Sequence, residues 1–257
     1  MRSLTQQQMP LWDERPSSSG WAVRRSLRAR RMAVRVFRDG GVEIVAPAKA
    51  RPEHIEAFVG RHRDWIERNQ RRHAPVALAF PPGSLELPAV GERWLCHAVP
   101  LGGAVPKRAR FLQEQPAGAV GGGTLQWPAI ASEARQRERL LAWLVQRAAR
   151  AFEAPLRAQA AAMGLAVRQV QVRRQRTRWG SCSARGTISL NVCLLFQPPE
   201  VVHYLFVHEL THLRHMNHSA RFWDAVAGVE PRWRELDREL ARGWQRVPGW
   251  VLAALRA

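Results

Sequence analysis

One short stretch constrains this chain more than its composition does. Val207–Ser219 reads VHELTHLRHMNHS, a His-Glu-x-x-His pattern set in an apolar helical run. Residues four apart on a helix stand one above the other with β-carbons about 5–6 Å apart. His208 and His212 can therefore converge on one ion at roughly 2.0–2.1 Å from each imidazole nitrogen. Glu209 lies about 100° around the helix from His208, near enough to reach a metal-bound water yet off the ligand row, which suits a general base. A third ligand must come from His215 or His218. His215 stays on the same face, but its seven-residue rise places it about 10.5 Å along the axis, too far to close a compact tetrahedron. Met216-Asn217 can end the helix, because Asn tolerates left-handed backbone, and swing His218 back towards the ion. Ser219 is then placed to cap the following helix. The expected metal ligands are His208, His212 and His218, with Glu209 as the catalytic residue.

The flanking pattern supports a helix there. Pro198-Pro199-Glu200 opens it, with proline tolerated in the first turn and an acid favoured near the positive dipole end. Val202, Leu205, Phe206, Leu210 and Leu213 supply its buried side. Ahead of it, Ala166–Trp179 alternates Val167, Val170 and Val172 with polar residues, GSCSARG turns, and TISLNVCLL alternates Ile188, Leu190 and Val192. That predicts an antiparallel hairpin. Its second strand, Thr187–Asn191, is either an edge for an extended substrate to pair with or an internally paired strand. Trp179 and Trp223 are read as packing residues, and His203 as a surface or satisfied core residue. Ser132–Met163 is a long helical pattern with Leu140, Leu141, Leu144, Ala148 and Phe152 on one face; Pro155 interrupts it and Gly164 stops it.

Nearer the start, Val34 and Val36 face Val42 and Ile44 across Asp39-Gly40-Gly41, a hairpin signal. Pro52–Arg72 reads as a helix in which Ile55, Phe58, Val59, His62, Trp65 and Ile66 recur at helical spacing. From 75 to 128, Pro and Gly punctuate short strand-like pieces such as GERWLCHAV and loops such as PAGAVGGG. Residues 1–20 are polar and Ser/Pro-rich, as a flexible tail is. The expected organisation is that tail, a mostly β region over 21–130 with one helix at 52–72, and a C-terminal domain over 131–257.

With 46% hydrophobic and 24% charged residues, the composition is that of a soluble globular protein. No apolar run approaches the roughly eighteen residues of a membrane span. The first residues lack the apolar core of a secretory signal, so the chain is expected in the cytoplasm. Three cysteines, Cys96, Cys182 and Cys193, are odd in number and lack C-x-x-C spacing, which argues for reduced thiols. The net charge of +19 suggests an anionic partner such as nucleic acid. Nearly all of it is arginine, however, and scattered, which GC-rich coding would also produce.

Three motifs resemble the YgjP-like metallopeptidases, relatives of the SprT-like and other small zincins. They are RTRWGSCSARGTISLN (Arg176–Asn191), VVHYLFVHELTHLRHMNHSARFW (Val201–Trp223) and, more weakly, VFRDGGVEIVAP and GRHRDWI near the start. The ligand spacing also equals that of metzincins, although His215 occupies their glycine position and no Met-turn is evident. The YgjP-like resemblance extends from about Trp21 to Trp244. It implies an α+β fold: an N-terminal small β-sheet region with helices, then a zincin-like domain of strand hairpin, active-site helix and C-terminal helices. It implies one zinc ion per chain on His208, His212 and His218, and a peptide or protein substrate cleaved by metal-activated water with Glu209 as general base and acid. Tyr204, one turn before His208, and Arg178 near the hairpin end are candidate oxyanion donors. Two alternatives stand beside this reading: a nucleic-acid-associated protease acting on DNA-bound proteins, and a non-catalytic protein with a structural zinc site.

Overall fold

The computed structural model describes residues 21–37, 41–72, 80–99, 113–116, 121–129 and 132–255. The predicted tail at 1–20 and the hairpin residues Asp39-Gly40 lie outside these, as does most of the loop before Gly121. The fold is mixed α+β, with three small sheets and six helices among the described residues. None of these helices is long and apolar enough to cross a membrane. The chain divides into two compact units, Met1–Val76 and Ala77–Ala257.

In the first unit, β1 (Ala22–Ser26), β2 (Ala33–Val36) and β3 (Val42–Pro47) form a sheet in the order β1-β3-β2. β2 and β3 are antiparallel, with Val34 opposite Ile44 and Val36 opposite Val42. Helix α1 (Pro52–Arg72) buries Ile55, Val59 and Ile66 against Val42, Ile44 and Ala46 of β3. Trp65, expected on that buried stripe, is 44% exposed. The stripe runs 55, 59, 62, 66, and Trp65 stands about 100° away from Ile66 around the helix.

The second unit is organised on α2 (Glu133–Ala162), capped by Ser132, whose Oγ accepts the Arg135 N–H at 3.4 Å. Leu140, Leu144, Ala148, Phe152, Leu156 and Ala160 form an unbroken buried row at a stride of four. Pro155 therefore does not interrupt the helix. An interior proline costs about 3 kcal/mol, and burial of the large side chains on either side offsets it at about 1.5–3 kcal/mol each. Gly164 ends the helix at φ +63°, where the Leu165 N–H reaches the Ala160 carbonyl at 2.8 Å. β4 (Ser84–Leu87), β5 (Glu92–Val99), β6 (Gln113–Pro116) and β7 (Gly122–Pro128) make a sheet in the order β4-β5-β7-β6. Leu85, Leu87, Trp94, Leu125 and Trp127 of this sheet share a core with α2, and the Trp94 and Trp143 rings meet edge-on at 5.2 Å.

The third sheet corrects the predicted hairpin. β8 (Gln169–Arg173) pairs with β10 (Thr187–Asn191) in parallel, and the antiparallel partner is the three-residue β9 (Gly180–Cys182). Buried Asn191 explains the detour between β8 and β9. Its Nδ2 donates to the Gln175 and Arg178 carbonyls at 2.9 and 2.6 Å, and its Oδ1 accepts the Cys193 N–H at 3.0 Å. The intervening segment is thus held as a loop instead of extending as strand. β10 is central, so it is no free edge for a substrate; β9 is an edge.

Helix α3 (Pro199–Thr211) runs through the middle of the second unit. Val201, Val202, Leu205, Phe206, Val207 and Leu210 are all buried, so apolar surface surrounds most of its circumference. α4 (Ala220–Val229), α5 (Trp233–Arg242) and the short α6 (Gly249–Ala254) complete the unit.

Candidate metal centre

The His-Glu-x-x-His residues occupy the last turn of α3, not its middle, and His212 is the first residue beyond it, still right-handed helical at φ −62° and ψ −17°. One tightened turn follows it: the Thr211 carbonyl accepts the N–H groups of both Arg214 and His215, at 3.0 Å each. The chain then turns through 213–218 and enters α4. Ser219 is the N-cap residue, but no side-chain hydrogen bond caps the helix; its carbonyl takes the Phe222 and Trp223 N–H groups at 3.0 and 3.2 Å.

This turn brings His218 to the α3 pair. One ring nitrogen from each of His208, His212 and His218 lies within 4.8 Å of the others. The Nε2 atoms of His208 and His218 are 3.2 Å apart. Bonds of roughly 2.0–2.1 Å in a tetrahedron put ligand nitrogens about 3.3–3.4 Å apart, so the spacing of this pair fits a shared ion. His215 stays out of the cluster but contributes its carbonyl, which accepts from His212 Nδ1 at 3.0 Å. That bond leaves the His212 Nε2 lone pair available to a cation. Phe222, fully buried, floors the cluster, its ring centre 4.6–5.0 Å from those of the three imidazoles. Trp223 stacks on His218 at 5.5 Å and on Trp233 of α5 at 4.3 Å.

Burial, with His212 and His218 alongside, pushes His208 down to about 4, so its imidazole is neutral and fit to ligate at ordinary pH. Burial likewise lowers His212. Glu209 is 5% exposed and its Oε2 has no hydrogen-bond partner among the described residues. Desolvation pushes its carboxyl up to about 8, while Arg178 pulls the other way. Arg178 is exposed, so it acts on Glu209 through its charge. Gly180 of β9 packs directly on Glu209: a β-carbon there would sit 2.5 Å from Oε1 and 2.9 Å from Cγ.

Tyr204 corrects an expectation. Fully buried, it directs its hydroxyl to Asp237 Oδ1 of α5 at 2.8 Å and lies 3.4 Å from His208 Nδ1, the nitrogen facing away from the cluster. It stands behind His208 with its hydroxyl turned to Asp237 and away from the converging ring nitrogens; burial and the bond to Asp237 raise its pKa. His203 is outside the site, 3.0 Å from Gln159 Oε1. Trp179 packs against Trp244 at 4.2 Å. All three cysteines are free thiols, with Cys96 pushed up to about 12 and Cys182 to about 11, chiefly by burial. Sequence reasoning missed Asp237, Phe222 and Gly180. Only Gly180 carried a signal, as a glycine opening a strand, which marks close backbone approach.

A family model described as YgjP-like, metallopeptidase domain, matches residues 30–243. Among solved structures, the crystal structure of the metallopeptidase zymogen of Pyrococcus abyssi abylysin is 28% identical. That match covers 36% of this chain and 93% of that one, with a TM-score of 0.33. No curated protein matches the chain.

Proposed function

Because the chain belongs to the YgjP-like metallopeptidase family, we propose that it hydrolyses peptide bonds with one zinc ion held by His208, His212 and His218. Three imidazoles with one position left open are the donor set of catalytic zinc sites, whereas structural sites are closed by four protein ligands. Bound there, zinc would supply Lewis acidity, polarising a carbonyl oxygen and lowering the pKa of water to about 7. The chain's own residues supply the rest. Glu209 accepts the proton of the attacking water at its unpartnered Oε2 and returns it to the leaving amine. Its raised basicity suits proton transfer near neutral pH. Arg178, exposed beside β9, remains the candidate for stabilising the oxyanion. An extended substrate segment adds to the edge strand β9, which runs past Glu209 at Gly180.

The observation that carries this reading is the pairing of three converging ring nitrogens with a buried carboxylate oxygen that has no hydrogen-bond partner among the described residues. Glu209→Gln tests it. The variant is expected to retain about one zinc per chain by metal analysis and to lose casein cleavage by about 10²–10⁴-fold. Full cleavage by the variant would overturn the mechanism, and unchanged behaviour in every assay would favour a structural metal.

A second reading places this activity on nucleic-acid-bound proteins. Its support is one exposed face of α1, where Trp65 stands between Arg61 and Arg68, one turn to either side, in a chain of net charge +19. An aromatic ring flanked by cations suits base stacking and phosphate contact. Binding of single-stranded DNA that weakens steeply with salt and with Trp65→Ala supports it; no binding at low salt removes it.

A further inference from the structure

A histidine that ligates through Nε2 carries its proton on Nδ1, and something must accept that proton. For His212 the acceptor is the His215 carbonyl at 3.0 Å. A carbonyl can only accept, so the tautomer follows from chemistry alone. His208 is different. The group behind its Nδ1 is the Tyr204 hydroxyl at 3.4 Å, which can donate as well as accept. Donation to Nδ1 would leave the proton on Nε2, aimed at His218 Nε2 3.2 Å away, and would close that nitrogen to a cation. Tyr204 is fully buried, so no bulk water takes its proton instead. What decides the direction is Asp237 on α5, whose Oδ1 lies 2.8 Å from the hydroxyl. A carboxylate accepts only. Taking the single hydroxyl proton, it leaves a lone pair of the tyrosine oxygen facing His208 Nδ1–H.

We propose that Asp237 is a positioning residue which, through the Tyr204 hydroxyl, holds His208 in the tautomer that can bind a metal. The proposal rests on the reading of the three histidines as ligands. It separates two groups that otherwise look alike: Asp237 touches neither substrate nor metal, and its whole effect passes through one oxygen atom.

The test measures Zn2+ dissociation constants by chelator competition for the wild type, Asp237→Ala, Tyr204→Phe and the double variant. Absorption spectra of the Co2+-loaded forms are recorded alongside. Asp237 is exposed and Tyr204→Phe keeps the buried ring, so each variant should fold, and metal-free melting checks this. Asp237→Ala is expected to weaken Zn2+ binding about 10–100-fold and to shift the Co2+ bands. In the Tyr204→Phe background the same substitution should change neither. Unaltered affinity in Asp237→Ala overturns the proposal. So does an equal loss with and without the hydroxyl, since Asp237 would then act by charge or as a brace. A wild-type chain that binds no Zn2+ refutes the underlying metal-site reading instead.

Discussion

Gly180 and Glu209 touch so closely that no other residue fits between strand and helix: a β-carbon at 180 would meet the carboxylate at 2.5 Å and its Cγ at 2.9 Å. Gly180→Ala must therefore displace a buried side chain. A misplacement of about 1 Å at a reacting group can cost about 10²-fold in rate. The variant is expected to bind zinc normally and to lose about 10–100-fold in kcat, read by metal analysis beside a peptide-cleavage assay. Wild-type turnover would show that Glu209 is not held by this contact.

The Glu209 carboxyl also predicts how the metal-free protein responds to pH. Its folded value of about 8 lies above the ordinary 4.5. The stabilisation from holding that proton is complete below about pH 4.5 and is lost as pH rises through 8. Glu209→Gln cannot ionise, so its Tm should gain on the metal-free wild type by several degrees between pH 5 and pH 8, at about 2–4 °C per kcal/mol. His208, held down to about 4, works in the opposite sense below about pH 6.5, but it is common to both proteins and cancels. Parallel pH profiles would rule the effect out.

Metal should stabilise the fold by mass action. At a zinc concentration 100 times its Kd the gain is about 2.7 kcal/mol, or about 5–10 °C in Tm for a chain of this size. His218 is exposed, so His218→Ala should fold normally and lose the zinc-dependent shift, as scanning fluorimetry would show. A full shift in the variant would mean that His218 is no ligand.

Asn191 predicts a stability effect away from the three histidines. Its amide ties the Gln175 and Arg178 carbonyls. Asn191→Asp has nearly the same shape but cannot donate, so it should cost at least as much as Asn191→Ala, about 3 kcal/mol in each case. A Tm within about 2 °C of wild type for Asn191→Asp would contradict this.

What could be read ahead of the structure follows from how local the signals are. Pro52 and Arg72 bound α1 as their spacing predicts, and Ser132 and Gly164 delimit α2 through cap chemistry that depends on only a few neighbouring residues. The proximity of His208 and His212 follows from helix geometry, and the return of His218 from a short turn. Long-range choices were not legible. Alternating valines report that 169–173 is a strand, yet nothing in the alternation distinguishes a parallel partner from an antiparallel one. Asp237 reaches Tyr204 across 33 residues, and among exposed acids on an amphipathic helix no local pattern singles it out.

α5 supplies none of the three histidines, but it reaches two of them. Trp233, in its first turn, backs Trp223 and through it His218, while Asp237, one turn later, backs Tyr204 and through it His208. These two anchors share one rigid rod, so a small tilt of α5 would move opposite jaws of the histidine cluster together, and a surface substitution on that rod would splay the cluster without altering any of its three imidazoles.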